Sequence, residues 1–530
     1  MSSNNHVYFK QNILIEPLFN RWYAWANLIP AASAAMYMAN AHLKIMESFV
    51  ASPQVHVSAL KNPAMLGGPF INYDASKVGE IKSMIDRTKK EQAHILEFAK
   101  AIKTLDEILL TEANGFSLET LYPKVPEILR GYVELVYDLQ NNPSIRFMDG
   151  LLYQSKYYNT ALQSISLSES ESDDRSFVFS TPRLESADKL FLNVPFASPA
   201  LDELFKMKFV PQPYERIKEI LGVSGEDEKL FSTFFTNEIP KASANYDGEG
   251  VRIRYFGHAC ILIESKDVSI LVDPVISYKD HQGIDRYIHA DLPETIDYVL
   301  ITHNHQDHIM FETLLQLRHK IKNIIVPQSS SIGREDPSLK MILKTIAFHN
   351  AEHLDELESI EICGGKIIGL PFLGEHADLN VRTKLAYLVQ LQNKSILLAA
   401  DSNNLEPRLY QHVNELFGDV DLLFLGMECD GAPMSWLYGP LFTKPIIRKD
   451  DQSRRLNGST CESAVAMVNI LNPKQVYVYA MGREPWLKFL TSIQYTDQSR
   501  PIVESNKLVE ECQRRGLEAE RLYIRKEIFL

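Results

Sequence analysis

The stretch Ile296-Asp297-Tyr298-Val299-Leu300-Ile301-Thr302, followed directly by His303-Asn304-His305-Gln306-Asp307-His308, decides the fold and chemistry of this chain. The first part is mostly apolar and predicts a buried strand. The second part places four side chains that bind metals where that strand ends and a loop begins. His303 and His305 share one face of an extended chain, and after a turn Asp307 and His308 face a second position. The segment therefore predicts ligands for two metal ions.

A simpler interpretation of the same segment is a polar turn that starts a helix. Asp307 would then be the N-cap of a helix over about residues 309–320. This arrangement explains one acidic residue and none of the three histidines of the motif. The spacing therefore favours metal binding.

Length and composition limit the classes of protein to consider. The chain has 530 residues, a formal net charge of −13, 45% hydrophobic residues and 10% aromatic residues. This length predicts more than one domain, with enough material for a large core. The acidic balance argues against a nucleic-acid partner or an anionic membrane surface, because no basic excess is present to neutralise phosphates.

The cysteines and the first residues predict a cytoplasmic protein. The five cysteines are scattered and never spaced as CxxC, which is typical of free thiols in a reducing compartment. Residues 1–11 lack the basic and apolar segments of a signal peptide. Residues 25–39 are apolar but too few to span a bilayer, and their spacing predicts a buried helix.

Residues 1–245 are predicted to form a mainly helical α+β domain. Apolar residues recur at helical spacing over residues 75–113 and again over residues 118–140. Residues 166–176 are acidic and serine-rich, which predicts a solvated loop. Short strands are predicted at residues 177–180 and 190–194. The histidines of this half are isolated from other metal ligands, so no metal site is predicted there.

Residues 246–530 are predicted to form a second domain, joined to the first by a polar linker at residues 236–250. Short β-type runs alternate with helical patterns, which predicts a layered α/β architecture with helices covering the sheets. Besides residues 296–302, the predicted strands are 251–255, 260–264, 269–272, 323–326, 366–370, 385–391, 395–399, 422–425 and 475–479. Helices are predicted at residues 407–416 and 463–471.

The second half resembles the metallo-β-lactamase superfamily. The features that carry this resemblance are Gly257-His258, Leu271-Val272-Asp273-Pro274, the motif at residues 303–308, and Asp401 after a predicted strand. The resemblance implies an αββα sandwich with a dinuclear metal site at one edge, in which Asp401 bridges both metals. Asp273 also stands at a strand end, and we expect it to play a structural role.

The ligand pattern departs from that of the superfamily's hydrolases. These usually have one histidine ligand between the main motif and the bridging aspartate, and another on a later strand. After Asp401 this chain has only His412, within a predicted helix, and the strand at 475–479 runs into Ala480-Met481-Gly482-Arg483. At the earlier of these two ligand positions, either Glu375 or His376 could be the ligand. With Glu375, three imidazoles and three carboxylates surround two ions, and hard anionic oxygens favour iron.

With this departure, the whole chain is similar to the di-iron β-hydroxylases of nonribosomal peptide pathways. Segments of the first half that support this are Trp22-Tyr23-Ala24-Trp25, Gly67-Gly68-Pro69-Phe70, Arg130-Gly131-Tyr132-Val133-Glu134-Leu135 and Ser180-Thr181-Pro182-Arg183. The resemblance implies two non-haem iron ions with carboxylate and oxo bridges, and dioxygen as cosubstrate. The implied ligands are His303, His305, Asp307, His308, Glu375 and Asp401.

The resemblance also implies a reaction and its partners. The expected reaction is hydroxylation of the β-carbon of an amino acid held as a thioester on a peptidyl carrier domain of a nonribosomal peptide synthetase. An external electron donor would supply electrons, and the first domain would form a homodimer and bind the carrier. Glu428, after the strand at 422–425, is the candidate catalytic group. Tyr438 and Trp436 either line a substrate channel or pack on the core.

Two other functions remain open from the sequence. The first is a dizinc hydrolase in which His376 is a ligand and a metal-bound hydroxide attacks an ester, amide or phosphoester. The second is a metal-binding or flavin-partnered redox protein that only accepts electrons or reduces dioxygen. The choice between Glu375 and His376 as ligand separates the hydroxylase from the hydrolase.

Overall fold

Two seven-stranded sheets form the centre of the second half of the chain. The computed structural model describes residues 6–279, 283–330 and 333–530. The first sheet has the strand order Ala351–Leu354, Ile321–Pro327, Ile296–Leu300, Ser269–Val272, Cys260–Glu264, Arg252–Gly257 and Lys526–Phe529. The second has the order Ser359–Ile362, Gly365–Leu370, Ala386–Leu391, Lys394–Leu398, Leu422–Gly426, Gln475–Tyr479 and Glu518–Arg521.

Both sheets mix antiparallel hairpins with a parallel part. In the first sheet the strands from Ser269–Val272 to Ala351–Leu354 are parallel. In the second sheet the strands from Lys394–Leu398 to Glu518–Arg521 are parallel. Because the carboxyl ends of parallel strands lie at the same edge, the loops that follow them converge there.

The core lies between the two sheets and continues on their outer faces. Side chains of both sheets, such as Ile261, Tyr387 and Val389, are fully buried between them. Helices Phe311–Leu317 and Leu339–Thr345 cover the first sheet. Helices Arg408–Phe417, Cys461–Leu471 and Arg500–Arg514 cover the second. Shorter helices are Met434–Tyr438, Arg448–Ser453 and Lys488–Thr491. The predicted αββα sandwich is confirmed.

The first half combines helices with small sheets and packs on the first sheet of the sandwich. Its α-helices are Ala31–Tyr37, Leu43–Ala51, Pro53–Ala59, Val78–Glu91, Ala93–Glu112, Asp149–Leu152, Pro199–Lys206, Tyr214–Ile220 and Asp227–Thr233. One sheet has the order Trp22–Tyr23, Ile13–Phe19, Gln163–Glu169 and Leu190–Leu192. Another has the order Gln212–Pro213, His6–Phe9 and Phe235–Thr236, and Val133–Tyr137 pairs with Pro143–Phe147. One apolar cluster includes residues of both halves.

Several predictions of local structure in the first half were wrong. Residues 118–140 are not one helix: 3₁₀ turns at Leu118–Lys124 and Glu127–Leu129 lead into the strand Val133–Tyr137. Pro123 and Pro126 remove backbone donors there, so an α-helix does not continue. The predicted helix at 75–113 is interrupted at Gln92, and the predicted helix at 25–39 begins only after Pro30.

The serine-rich segment and the residues after it also differ from prediction. Residues 166–169 belong to the strand Gln163–Glu169, where the small side chains of Ser164, Ser166 and Ser168 are buried between two neighbouring strands. Residues 177–180 form no strand. The helix after the metal motif is Phe311–Leu317, and its N-cap is Met310 instead of Asp307. Among the described residues, no helix is both long and apolar enough to cross a membrane.

A buried ionic network joins the two halves of the chain. Arg183 donates from Nε and Nη2 to the carboxylate of Glu16 at 2.9 Å each. Arg175 bridges Glu16 and Glu312 with bonds of 2.8 Å, and Glu312 lies on the helix that follows the metal motif. These arginines hold the pKa of Glu16 well below its usual range despite the opposing effect of burial. The network therefore fixes the first half against the helix behind the motif.

We expect Arg183→Met to lower the free energy of unfolding by about 3 kcal/mol, because it leaves the buried Glu16 carboxylate with one cation fewer. Thermal and urea denaturation measure the change. Arg21→Met is the control, since its partner Glu185 is 78% exposed and such a pair contributes about 1 kcal/mol or less. Equal effects of the two substitutions would show that the buried network does not stabilise the fold.

Candidate metal centre

The six predicted ligands lie at the edge of the sandwich where the parallel strands end. Their ligand atoms lie within 4.8 Å of one another in three overlapping groups. The groups are His303 with His305 and Glu375, His303 with His308 and Asp401, and Asp307 with His308 and His258. Since His303 and His308 each belong to two groups, the three groups form one continuous cluster.

The first group is centred on Glu375. Its Oε1 lies 2.7 Å from His305 Nδ1, and its Oε2 lies 3.9 Å from His303 Nε2. Two ligand atoms that each lie about 2.1 Å from a shared cation are themselves roughly 3 to 4 Å apart. The side chains of the group are almost completely buried.

Asp401 lies where a carboxylate can reach both positions. Its Oδ2 is 3.2 Å from His308 Nε2 and 4.0 Å from His303 Nε2. A Cβ on Gly426, in the neighbouring strand, would lie 2.8 Å from Asp401 Oδ1. The close approach of this strand therefore requires a glycine and fixes the carboxylate in place.

Asp273 determines which nitrogen of two histidines faces the cluster. Its buried carboxylate accepts from the N–H and the hydroxyl of Thr302, and it lies 2.8 Å from His308 Nδ1. His308 Nδ1 therefore carries a proton, which leaves the Nε2 lone pair for a metal. Because the Thr302 hydroxyl is already a donor to Asp273, it accepts from His303 Nδ1 at 3.0 Å, and His303 Nε2 is left free. Asp273 thus has the structural role predicted for it.

The Tyr438 hydroxyl contacts one nitrogen of His305 and one nitrogen of His376. The Tyr438 hydroxyl lies 3.4 Å from His305 Nε2 and 2.7 Å from His376 Nδ1. An arrangement that satisfies all three groups has His305 Nε2 as donor to Tyr438 and the Tyr438 hydroxyl as donor to His376 Nδ1. In this arrangement His305 offers Nδ1 to a metal, while Nε2 of His376 carries a proton and lies 3.3 Å from Glu375 Oε2. Glu375 therefore fits the ligand role better than His376.

His258 belongs to the cluster, although the sequence did not predict that it would. Its Nδ1 accepts from the backbone N–H of Gly482 at 3.2 Å, so the neutral ring has its proton on Nε2. His258 Nε2 lies 3.3 Å from Asp307 Oδ2 and is oriented to hold that carboxylate. The signal was present as Gly257-His258, but it identified the superfamily and gave no function for the imidazole.

The buried polar atoms of the cluster fit a pair of cations. Within the described residues, His303 Nε2, Glu375 Oε2 and Asp401 Oδ1 are buried and make no hydrogen bond. Leaving such an atom unsatisfied costs about 1–3 kcal/mol. Cations bound by the three imidazoles and three carboxylates would satisfy these atoms, and the high share of anionic oxygen suits iron.

The charges of the cluster depend on its neighbours. Burial opposes a charge on His308, yet Asp401 and Asp273 hold its pKa well above the usual range. Burial and the surrounding histidines hold the pKa of His303 well below its usual range. Burial also raises the pKa of Glu375, against the influence of His305. Cations that bind here therefore replace protons, so metal affinity depends on pH.

Strained backbone is concentrated around the cluster. His258, Asp273, Glu375, Ala400 and Ala480 all have positive φ values, between 40° and 69°. Such conformations cost about 1 kcal/mol or more each for residues other than glycine. The fold maintains them because each places a ligand, or a residue that holds a ligand, at the end of a strand.

The late strand brings no imidazole to the site, as the sequence indicated. Gln475–Tyr479 runs into Ala480, Met481 and Gly482, and the backbone N–H groups of Ala480 and Gly482 donate to His258. His412 is exposed on the helix Arg408–Phe417 and lies 3.3 Å from Glu415. It takes no part in the cluster.

A cavity of about 280 Å³, here called the metal cavity, lies over the cluster. Its polar floor includes His305, Asp307, Glu375 and Asp401, and its other lining includes Leu66, Gly67, Pro433, Trp436, Leu456, Met481 and Ile493. Glu428 also lines it and accepts from the Gly431 N–H and from the Tyr495 hydroxyl at 3.2 Å. Burial raises the pKa of Glu428 to about 7. A carboxyl that titrates near neutrality thus faces the same space as the predicted ligands.

Comparison with known proteins identifies the family. A family model described as the diiron non-heme β-hydroxylase N-terminal domain matches residues 8–239, and a β-lactamase superfamily domain matches residues 252–428. A 4-amino-L-phenylalanyl (CmlP peptidyl-carrier-protein) 3-hydroxylase from Streptomyces venezuelae is 38% identical over 530 residues, covering 98% of this chain and 99% of that protein. The chain belongs to the diiron non-heme β-hydroxylases.

A solved structure agrees with this family over the full length. The crystal structure of CmlA, a diiron β-hydroxylase from Streptomyces venezuelae, superposes with a TM-score of 0.93 at 37% identity and covers 100% of both chains. The predicted resemblance is therefore confirmed for both halves. The cofactor of this family is a pair of non-haem iron ions, and the donor set described above fits it.

We expect Glu375→Gln to reduce the iron content of the purified protein, whereas His376→Gln retains it. Glu375 Oε1 lies 2.7 Å from His305 Nδ1 and its Oε2 faces His303 Nε2 at 3.9 Å, whereas His376 Nδ1 is held by the Tyr438 hydroxyl. Iron analysis by mass spectrometry measures both variants against the parent protein. Loss of iron from the His376 variant alone would contradict this ligand set and favour a hydrolase-like site.

We expect Asp273→Asn to weaken iron binding about 10- to 100-fold, because the amide no longer fixes the protons of His303 and His308. Competition with a chelator measures the affinity. Asp267→Asn is the matched control, since it makes the same change in an exposed turn next to the same strand. Unchanged affinity in the Asp273 variant would refute the role given to this carboxylate.

Proposed function

We propose that this chain uses dioxygen to hydroxylate the β-carbon of an amino acid that is held as a thioester on a peptidyl carrier domain of a nonribosomal peptide synthetase. The observation that supports it most is the convergence of three imidazole lone pairs and three carboxylates under one cavity. The relative from Streptomyces venezuelae, which covers nearly the whole chain, is named for this reaction on 4-amino-L-phenylalanine.

We propose the following ligand assignment. His303 Nε2, His305 Nδ1 and Glu375 hold one iron ion, Asp307 and His308 Nε2 hold the other, and Asp401 reaches both. The bound pair of iron ions supplies the oxidising chemistry that activates dioxygen. The protein orients the donors through Asp273, Tyr438 and His258.

The other residues around the metal cavity position the substrate and limit access of water. Leu456, Met481 and Ile493 form an apolar wall opposite the polar floor. An amino-acid side chain against this wall would hold its β-carbon over the ligands and displace water from them. Glu428 also lines the metal cavity, and burial raises its pKa to about 7. We propose that this carboxyl contacts the substrate or a reacting oxygen.

The remaining predictions about partners and organisation are part of the proposal. We propose a division into residues 1–245, which bind the carrier and form a homodimer, and residues 246–530, which hold the iron ions. An external donor supplies the electrons. The thiols of Cys260, Cys429 and Cys512 are buried and unbridged, which supports a reducing cytoplasm.

The direct test is mass spectrometry of a loaded carrier domain. The iron-loaded protein, reduced and then exposed to air, is incubated with carriers bearing aromatic or branched aliphatic amino acids. We expect one carrier-bound amino acid to gain one oxygen atom at the β-carbon. The Asp401→Ala variant is the control and should give no product. Cleavage of the thioester without gain of oxygen would support the hydrolase instead.

We expect the pH profile of kcat to show a limb at or below about pH 7 that is absent in Glu428→Gln. Burial raises the pKa of Glu428 to about 7, and nearby metal cations lower it again, so the carboxyl loses its proton as the pH rises through this range. Steady-state rates from pH 5 to 9 measure the limb. Persistence of the same limb in the glutamine variant would show that another group titrates.

A further inference from the structure

A second, larger cavity lies beside the metal cavity. It measures about 660 Å³ and is here called the outer cavity. Both cavities are lined by Gly67, Pro433 and Trp436. Trp436 Nε1 donates to the carbonyl of Gly67 at 3.0 Å, so one indole and one glycine separate the two spaces. A molecule in the outer cavity therefore lies next to the space above the ligands.

The lining of the outer cavity alternates aromatic and polar groups. The rings belong to Trp25, Tyr37, Phe70, Phe177, Phe179 and Trp436, and the polar side chains include Asn40, Ser48, Ser435 and Gln452. Such a lining suits a ligand in which apolar segments alternate with amides.

His42 brings an unpartnered polar atom to the lining of the outer cavity. Its side chain lines the cavity, is only 5% exposed, and its Nδ1 makes no hydrogen bond within the described residues. The ring stacks on Trp22 at 4.1 Å and belongs to a π-helical turn, Met38–His42. Turns of this kind are frequent at functional sites. Burial lowers the pKa of His42 to about 3, so the ring is neutral and can bond an amide.

One lysine lines the same cavity, and a second lies behind the lining residue Asn40. Lys44 is exposed and lines it, and Lys103 donates to the side chain of Asn40, which also lines it. Burial and the charge of Lys44 both lower the pKa of Lys103. Asp451 lines the cavity as well, but its carboxylate accepts from the N–H and hydroxyl of Ser435. An anion such as a phosphate would relieve the repulsion between the two ammonium groups.

We propose that the outer cavity binds the phosphopantetheine arm of the carrier domain, with the phosphate at Lys44 and Lys103, an amide of the arm at His42 Nδ1, and the thioester end at Trp436 facing the metal cavity. The arm has the required order of groups: a phosphate, an apolar dimethyl segment, two amides and a thioester. This inference rests on the proposed function, because the arm is the group through which a carrier domain holds its amino acid.

Binding of the free arm tests the proposal without any turnover. Isothermal titration of the full-length, iron-loaded protein with phosphopantetheine and with pantetheine isolates the contribution of the phosphate. We expect phosphopantetheine to bind about tenfold more tightly, from two partly exposed charge contacts. In the Lys44→Ala/Lys103→Ala variant this preference disappears, while pantetheine binds as before.

Two further variants make the result specific. Lys82→Ala/Lys229→Ala removes two exposed charges of the same half of the chain away from the cavity lining, and it should keep the preference for phosphate. His42→Phe keeps a flat ring on Trp22 but removes Nδ1, and it should weaken both ligands by about the same factor. Iron content and circular dichroism of each variant establish that the fold is intact.

The outcomes separate this proposal from the proposed function. Absence of binding, equal binding of the two ligands, or a phosphate preference that survives in the Lys44/Lys103 variant would overturn the assignment of the outer cavity. A carrier domain bearing the arm should compete with phosphopantetheine, and the same domain without the arm should not. Competition by coenzyme A but not by the carrier would assign the cavity to a free coenzyme and also refute the proposal. Normal arm binding without any hydroxylated product would refute the proposed function alone.

Discussion

The buried carboxylate of Asp273 is the contact on which the metal centre depends. It accepts hydrogen bonds from Thr302 and His308, and through the Thr302 hydroxyl it also fixes the proton of His303. Two imidazoles are thereby forced to offer Nε2 to the same small volume. The carboxylate occupies a strained position at the end of the strand Ser269–Val272, and the sandwich maintains that strain because the surrounding strands are packed on both faces.

Hydrogen bonds to histidine nitrogens also distinguish this site from those of the superfamily's hydrolases. In this chain the late strand ends in backbone groups that hold His258, and the tyrosine on the helix Met434–Tyr438 takes up one nitrogen of His376. With the ligands proposed above, the centre would have as many carboxylates as imidazoles, which suits iron and redox chemistry better than zinc-bound hydroxide.

The sequence was most informative where the pattern is local. The strand before the motif, the motif itself and the strand that precedes Asp401 were all identified from spacing and hydrophobicity, and the αββα architecture was implied by the superfamily resemblance that these segments carry. The roles of Tyr438 and Thr302 were not predictable, because each depends on a neighbour that the fold supplies: Tyr438 contacts residues 62 and 133 positions away. The buried serines of Gln163–Glu169 were misinterpreted for a related reason, since composition does not reveal that two strands enclose them.

Diffraction at the iron absorption edge from crystals of the iron-loaded protein tests the central claim most directly. The account predicts two anomalous peaks. One lies within bonding distance of His303 Nε2, His305 Nδ1 and Glu375, the other within bonding distance of Asp307 and His308 Nε2, and Asp401 contacts both. His258 and His376 stay outside the coordination of either ion. A metal bound to His376 or His258, or peaks that appear only at the zinc edge, would contradict it.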